Sequence, residues 1–177
     1  MRALFVLAVA VLAGFVLSPL LRADAACTPP PTRTASEAQA GDAALKGWSK
    51  EQIANARTIV TIGAERRVST RGQIIAVATA LQESSLRNLR GGDRDSIGLF
   101  QQRPSQGWGT PKQLSDPAYQ TGKFYDGLLA VDGWQGMRLT EAAQAVQISA
   151  YPEAYAKHAR DAARMVAALG APAACSP

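Results

Sequence analysis

QIIAVATALQESSLRNLRGGDRDSIGLFQQRPSQGWGT, from Gln73 to Thr110, is the stretch that decides how this chain folds and where its chemistry sits. From Gln73 to Leu81 it is apolar or small almost all round, and a helix without a polar face has to be enclosed by other elements. At about 100° per residue, Ile74, Val77, Ala78 and Leu81 share one face, while Ala76, Thr79 and Ala80 lie near the opposite side. Glu83 falls on that second face, above small residues. Its carboxyl is expected to project from the end of a buried helix and not into open water. Asn88 to Ser96 is turn-rich and contains Gly91-Gly92. Ile97 to Gln102 is short, a strand or an irregular hairpin edge, and Pro104 to Pro111 is expected to be loop.

Outward from this stretch, helical signals recur on both sides. Ser49 with Gln52 three residues on is a capping box, and Ile53, Ala56, Val60 and Ala64 follow at helical spacing. Thr70 is placed to cap the enclosed helix, again with a glutamine, Gln73, three residues on. Asp116-Pro117 opens a helix through about Val131, with proline tolerated in the first turn. Thr140-Glu141 opens another toward Ile148, and Tyr151-Pro152 starts a last one that ends at Gly170. There is no internal repeat and no run of alternating strands. The expected fold is a mainly α single domain of about five helices with a small loop or β-hairpin element, over residues 49–170. Ahead of it, Thr28-Pro29-Pro30-Pro31-Thr32 is a stiff extended spacer. The polar, Ala-rich run to Lys46 reads as loop or weak structure, so 26–48 is expected to be a Pro/Ala-rich spacer and 171–177 a tail.

The first residues have the form of a targeting segment. Met1-Arg2 gives a positive start, Ala3 to Leu17 is apolar or small, Ser18-Pro19 breaks the run, and Ala23-Asp24-Ala25 fits a small-x-small cleavage site. Residues 1–25 are therefore expected to be a signal peptide, leaving roughly 150 residues, enough for one domain with its own core. An uncleaved anchor is the competing reading, weakened by Pro19 and by the alanine content. Cys27 after Ala25-Ala26 also raises a lipoprotein site, but Asp24 sits where such sites want an aliphatic residue. The expected destination is secretion or the cell envelope, with no stable membrane span after cleavage.

The chain's two cysteines, Cys27 and Cys175, bracket the mature sequence. In an exported protein such a pair reads as one disulfide joining the termini, contributing up to about 5 kcal/mol in the chain-entropy model; two free or intermolecular thiols are the alternative. With no Cys-x-x-Cys pair and a single histidine, His158, a zinc site is not expected, and neither is a cofactor. His158 follows Lys157 in a polar helical stretch and is expected at the surface. The net charge of +5 suits anionic envelope polymers. Its basic residues are scattered without interleaved aromatics, so nucleic acid is not an expected partner. Nothing resembles a coiled coil, and a monomer is expected.

A general acid must keep its proton near neutral pH, so its carboxyl needs surroundings that disfavour the charged form. The apolar helix before Glu83 supplies them; the plain alternative is a helix-end glutamate that satisfies local backbone donors. Asp93 and Asp95 are the candidates for a second carboxylate, which hydrolysis by two carboxylates would need, although Asp beside Gly is ordinary turn chemistry. Asp93-x-Asp95-x-x-Gly98 begins like a calcium loop and fails, since its twelfth position is Pro104. Gln101 and Gln102 each offer an amide to sugar hydroxyls or an acetamido group, Gln101 being favoured. Trp108, in the Pro/Gly-rich loop, is the aromatic best placed to line a cleft, whereas Leu99 and Phe100 read as packing behind it.

Glu83-Ser84-Ser85, Ser96-Ile97-Gly98-Leu99-Phe100-Gln101, Ala145-Val146-Gln147 and Tyr151-Pro152-Glu153-Ala154-Tyr155 together resemble the motif order of the lysozyme-like lytic transglycosylases, the superfamily that includes goose-type lysozymes. The resemblance covers roughly Ser69 to Leu169. It implies a lysozyme-like domain with Glu83 as catalytic acid and base, and Ser84, Gln101, Gln102, Trp108, Gln147, Tyr151 and Tyr155 along the substrate cleft. The implied partner is a peptidoglycan glycan strand, cut at the β-1,4 bond between N-acetylmuramic acid and N-acetylglucosamine without a metal or cofactor. Where the family usually carries Ala-Tyr-Asn and a glycine, this chain has Ala145-Val146-Gln147. That departure leaves a second expectation open, a lysozyme-like module that binds wall glycan without cutting it.

Overall fold

Ile75 to Leu81 are all buried, which is what a helix without a polar face demands. They belong to α3 (Thr70–Ser84), and the other elements are arranged around it. The computed structural model describes residues 35–149 and 151–170. The expected signal peptide and both cysteines, Cys27 and Cys175, lie outside them. Among the described residues there are seven α-helices: α1 (Ala35–Leu45), α2 (Lys50–Glu65), α3, α4 (Pro111–Leu114), α5 (Pro117–Ala130), α6 (Leu139–Gln147) and α7 (Ala159–Leu169). Three 3₁₀ segments join them, Pro104–Gln106, Trp134–Gly136 and Pro152–His158. The chain is a mainly α single domain. Helices α2, α5, α6, α7 and the Pro152–His158 segment all pack on α3. No helix of the described residues is long and apolar enough to cross a membrane.

Local chemistry accounts for the boundaries. Ser49 caps α2 with the reciprocal Gln52 bond that its spacing implies. At α3 the cap is Ser69, one residue before the expected Thr70, and the Gln73 amide turns back to the Val68 carbonyl at 3.0 Å. Asp116 accepts from Ala118 N–H and opens α5. The core joins α2, α3, α5, α6 and α7 through side chains such as Ile59, Ile75, Phe124, Ala143 and Met165. Trp134 and Tyr125 belong to it, the latter donating its hydroxyl to the Ile59 carbonyl at 3.0 Å.

Several expectations are corrected. Seven helices replace about five, because the stretch before Lys46 is not loop from Ala35 onward: α1 forms there and packs on α7. Alanine carries the highest intrinsic helix propensity, and a neighbouring helix supplies the packing that a weakly amphipathic segment lacks alone. Pro104 to Pro111 holds a 3₁₀ turn and runs into α4, each begun by a proline already set for the first turn. The last helix does not begin at Tyr151-Pro152: that segment is 3₁₀ to His158, and the α-helix starts at Ala159. The hairpin element is reduced to a single antiparallel bridge between Ile97 and Gln102. His158 is half-buried, with Nε2 at 3.1 Å from Gln82 Oε1.

Candidate active site

Helix α3 stops abruptly after Glu83-Ser84. Ser85 and Leu86 both adopt left-handed backbone, with φ of 53° and 59°. The Leu86 N–H reaches back to the Ala80 carbonyl at 3.1 Å, and the Leu86 side chain is fully buried. Two amides of α2 hold the reversal, Gln52 Nε2 on the Ser85 carbonyl at 2.9 Å and Asn55 Nδ2 on the Leu86 carbonyl at 2.8 Å. Non-glycine residues persist in this region only where the surroundings over-determine them. Glu83 thus sits two residues before a rigid reversal, on the last turn of the most enclosed helix.

The Gly98–Gln101 segment is locked beside it. Ser84 Oγ lies 2.7 Å from the Leu99 carbonyl, tying the end of α3 to that segment. Gly98 has φ +76°, and a Cβ there would stand 1.8 Å from Gln120 Nε2. Gln120, buried within α5, accepts from Phe100 N–H at 2.9 Å and donates to the Leu114 carbonyl at 2.6 Å. Phe100 stacks on Phe124 with centroids 4.8 Å apart, anchoring the segment in the core. Leu99 and Phe100 are packing residues, as their pattern implies.

Three side chains from three elements meet at the carboxyl. Tyr155, buried in the Pro152–His158 segment, donates its hydroxyl to Glu83 Oε1 at 2.9 Å. Gln147, the last residue of α6, donates to the Phe100 carbonyl at 2.8 Å, and its amide also reaches the Glu83 carboxyl. Its Oε1 is buried without a hydrogen-bond partner. Burial raises the Glu83 pKa above the ordinary carboxylate range, against the pull of Tyr155 and Gln147. Burial and the adjacent carboxylate likewise push the Tyr155 phenol up, so it keeps its proton and remains a donor. The Ser149 hydroxyl also reaches the Tyr155 hydroxyl.

The other expected site residues fall into different settings. Ser84 is buried and occupied with the backbone, so it positions and offers nothing to solvent. Gln102 is 1% exposed, with its amide nitrogen on the Gln120 carbonyl at 3.2 Å, which places it inside the fold. Gln101 has φ +48° and turns its amide back to the Gly98 carbonyl at 3.0 Å. Gly92 makes room for it, since a Cβ there would fall 1.7 Å from Gln101 Oε1. Trp108 is partly buried against the core, and its carbonyl accepts from Tyr119. Tyr151 is 74% exposed.

Asp95 is bound into its own loop by Arg103 Nε at 2.7 Å, Ser105 N–H at 2.8 Å and Ser105 Oγ at 3.0 Å. These donors hold its carboxyl well below the usual range, the backbone N–H of Ser105 foremost. It ties the loop together. Asp93 is exposed. Among the described residues no group of three His, Cys, Asp or Glu side chains could hold a metal ion. Gln120, Ser149 and the Gln82–His158 pair carry no local sequence signal: a glutamine within an amphipathic helix reads as surface until its partners are known. Comparison with known proteins finds no matching family model and no matching characterised relative.

Proposed function

We propose that this chain is an exported, peptidoglycan-cleaving glycosidase with Glu83 as its general acid and base. The observation that carries the reading is the Glu83 carboxyl itself, desolvated at the end of an enclosed helix and clasped by Tyr155 and Gln147. A proton held above the ordinary carboxylate range is what protonation of a glycosidic oxygen needs near neutral pH. Glu83 gives its proton to the leaving oxygen as the bond to C1 breaks. The Tyr155 hydroxyl then supports the carboxylate that remains. Asp95 is committed to Arg103 and Ser105, so the cluster offers one carboxyl. That favours the route implied by the resemblance to lytic transglycosylases, in which the substrate's own 2-acetamido oxygen stabilises the sugar cation. Glu83 next takes the proton of the C6 hydroxyl, whose oxygen bonds to C1 and closes a 1,6-anhydro ring. The proton is thereby restored to Glu83, and no metal or cofactor enters.

The test is digestion of purified peptidoglycan by the mature protein, with mass analysis of the products. Muropeptides lighter by one water than hydrolytic ones are expected, and Glu83→Gln should reduce their release at least ~100-fold while the domain stays folded. Full activity in Glu83→Gln sinks the assignment. Glycan binding without any product from the wild type would instead make the chain a wall-binding module.

A further inference from the structure

The turn after α6 presents apolar surface in a conformation its residue resists. Ile148 closes α6 with φ 52° and ψ 49°, the left-handed region, and is 82% exposed. A β-branched residue is a genuine outlier there, because its Cβ substituents crowd the backbone. Exposure removes the usual reason for an isoleucine, which is burial. A glycine or asparagine would close this helix with less strain.

The turn is nevertheless built to hold that geometry. Ile148 N–H donates to the Gln144 carbonyl at 2.9 Å. The Gln144 side chain forks onto the next residue, Nε2 to the Ser149 carbonyl at 2.8 Å and Oε1 from Ser149 N–H at 3.1 Å. Ser149 Oγ in turn accepts from Tyr151 N–H at 3.1 Å. Three large hydrophobic residues are exposed among the described residues, and two of them, Ile148 and Tyr151, share this turn. Ile148 stands between Gln147, whose amide reaches Glu83, and Ser149, whose hydroxyl reaches Tyr155. Strain that is over-determined, exposed and flanked on both sides by site residues is the pattern of a ligand contact.

We infer that Ile148 is a substrate-contacting residue, held in strain so that its side chain, with Tyr151, takes the C–H face of a pyranose ring of the glycan beside Glu83. A pyranose ring is amphiphilic, with apolar C–H faces and polar edges. The turn offers exposed apolar surface on Ile148 and Tyr151, directly after Gln147, whose amide reaches the Glu83 carboxyl. The assignment rests on the glycan-cleaving reading of the site and adds to it the residue that grips the ring.

The experiment uses the non-cleaving Glu83→Gln protein, sedimented with purified insoluble peptidoglycan, alone and combined with Ile148→Asn or Ile148→Leu. Asparagine tolerates the left-handed conformation and removes the apolar surface, whereas leucine keeps it. Ile148→Asn should raise the melting temperature by about 2–4 °C and weaken glycan binding about five- to tenfold. Ile148→Leu should bind within about twofold of its parent, since it buries a similar apolar area. Unchanged binding in Ile148→Asn, or equal weakening in both variants, overturns the assignment while leaving the glycan reading in place. No binding by the parent itself, together with no cleavage by the wild type, overturns the glycan reading and this assignment with it.

Discussion

Glu83 and Tyr155 share a single hydrogen bond whose removal has effects of opposite sign on rate and on titration. The Tyr155 hydroxyl lowers the Glu83 pKa, while burial, the larger influence, raises it. In Tyr155→Phe the lowering contribution is gone and the burial stays. The alkaline limb of the pH–rate profile is therefore expected to move to higher pH. The maximal rate should fall about ten- to hundredfold, because a charge-assisted bond of about 1.5–3 kcal/mol no longer supports the carboxylate formed on proton transfer. Peptidoglycan digestion across pH checks both; a limb that moves down would mean that Tyr155 opposes the charged form. The same carboxyl has a consequence for stability. A raised folded pKa contributes stability that is present below the ordinary carboxylate range and lost as pH rises through the raised value. Glu83→Gln, which carries no charge, should thus be more stable than the wild type near neutrality, and the difference should shrink on acidification. Thermal melts at several pH values read it, and a variant less stable throughout would deny that the charged acid is held at a cost.

At the level of elements, the Gly98–Gln101 segment is held by space as much as by backbone conformation, and two glycines separate these effects. Gly98 and Gly107 have nearly equal φ, +76° and +78°. A Cβ at Gly98 meets Gln120 Nε2 at 1.8 Å and the Leu114 carbonyl at 2.7 Å, whereas one at Gly107 meets nothing within 4 Å. Gly107→Ala should cost about 1 kcal/mol, for conformation alone. Gly98→Ala should cost about 2–4 kcal/mol, since it also displaces the buried Gln120 that holds Phe100 N–H. Chemical denaturation of the two variants measures the gap; equal losses would show that the contact with Gln120 is dispensable. Such elements were legible in the sequence where their determinants are local. Ser49 with Gln52 predicts the cap of α2, and the all-round apolar run before Glu83 predicts an enclosed α3. The Tyr155–Glu83 bond spans 72 residues, and no spacing rule reaches that far. Tyr155 could be placed only through a resemblance. Gln120 and His158 were not legible because a polar side chain becomes internal only once other elements supply its partners.

Over the whole molecule, the helices divide into those that build the site and those that support it. Glu83, Gln147 and Tyr155 come from α3, α6 and the Pro152–His158 segment, which pack directly on one another. Helix α1 lies chiefly on α7, with Gly41 facing Ala168 across the contact. Among its described side chains, Leu45 is only partly buried, and Asp42 and Ala43 are exposed. Covering one such side chain stabilises by about 2 kcal/mol at most, which corresponds to roughly 4–8 °C in a domain of this size. A chain beginning at Trp48, compared with one beginning at Ala35, should lose that much in melting temperature. It should still release muropeptides within about twofold of the longer chain at a temperature where both are folded. Both chains lack Cys27, so a bond to Cys175 does not enter the difference. If the shorter chain melts as expected but no longer cleaves, α1 reaches the site through α7, whose packing on α3 then sets the position of Glu83. If cleavage survives, the geometry around Glu83 is set by α3, α6 and the Pro152–His158 segment, and α1 acts on how long the domain stays folded and not on what it does.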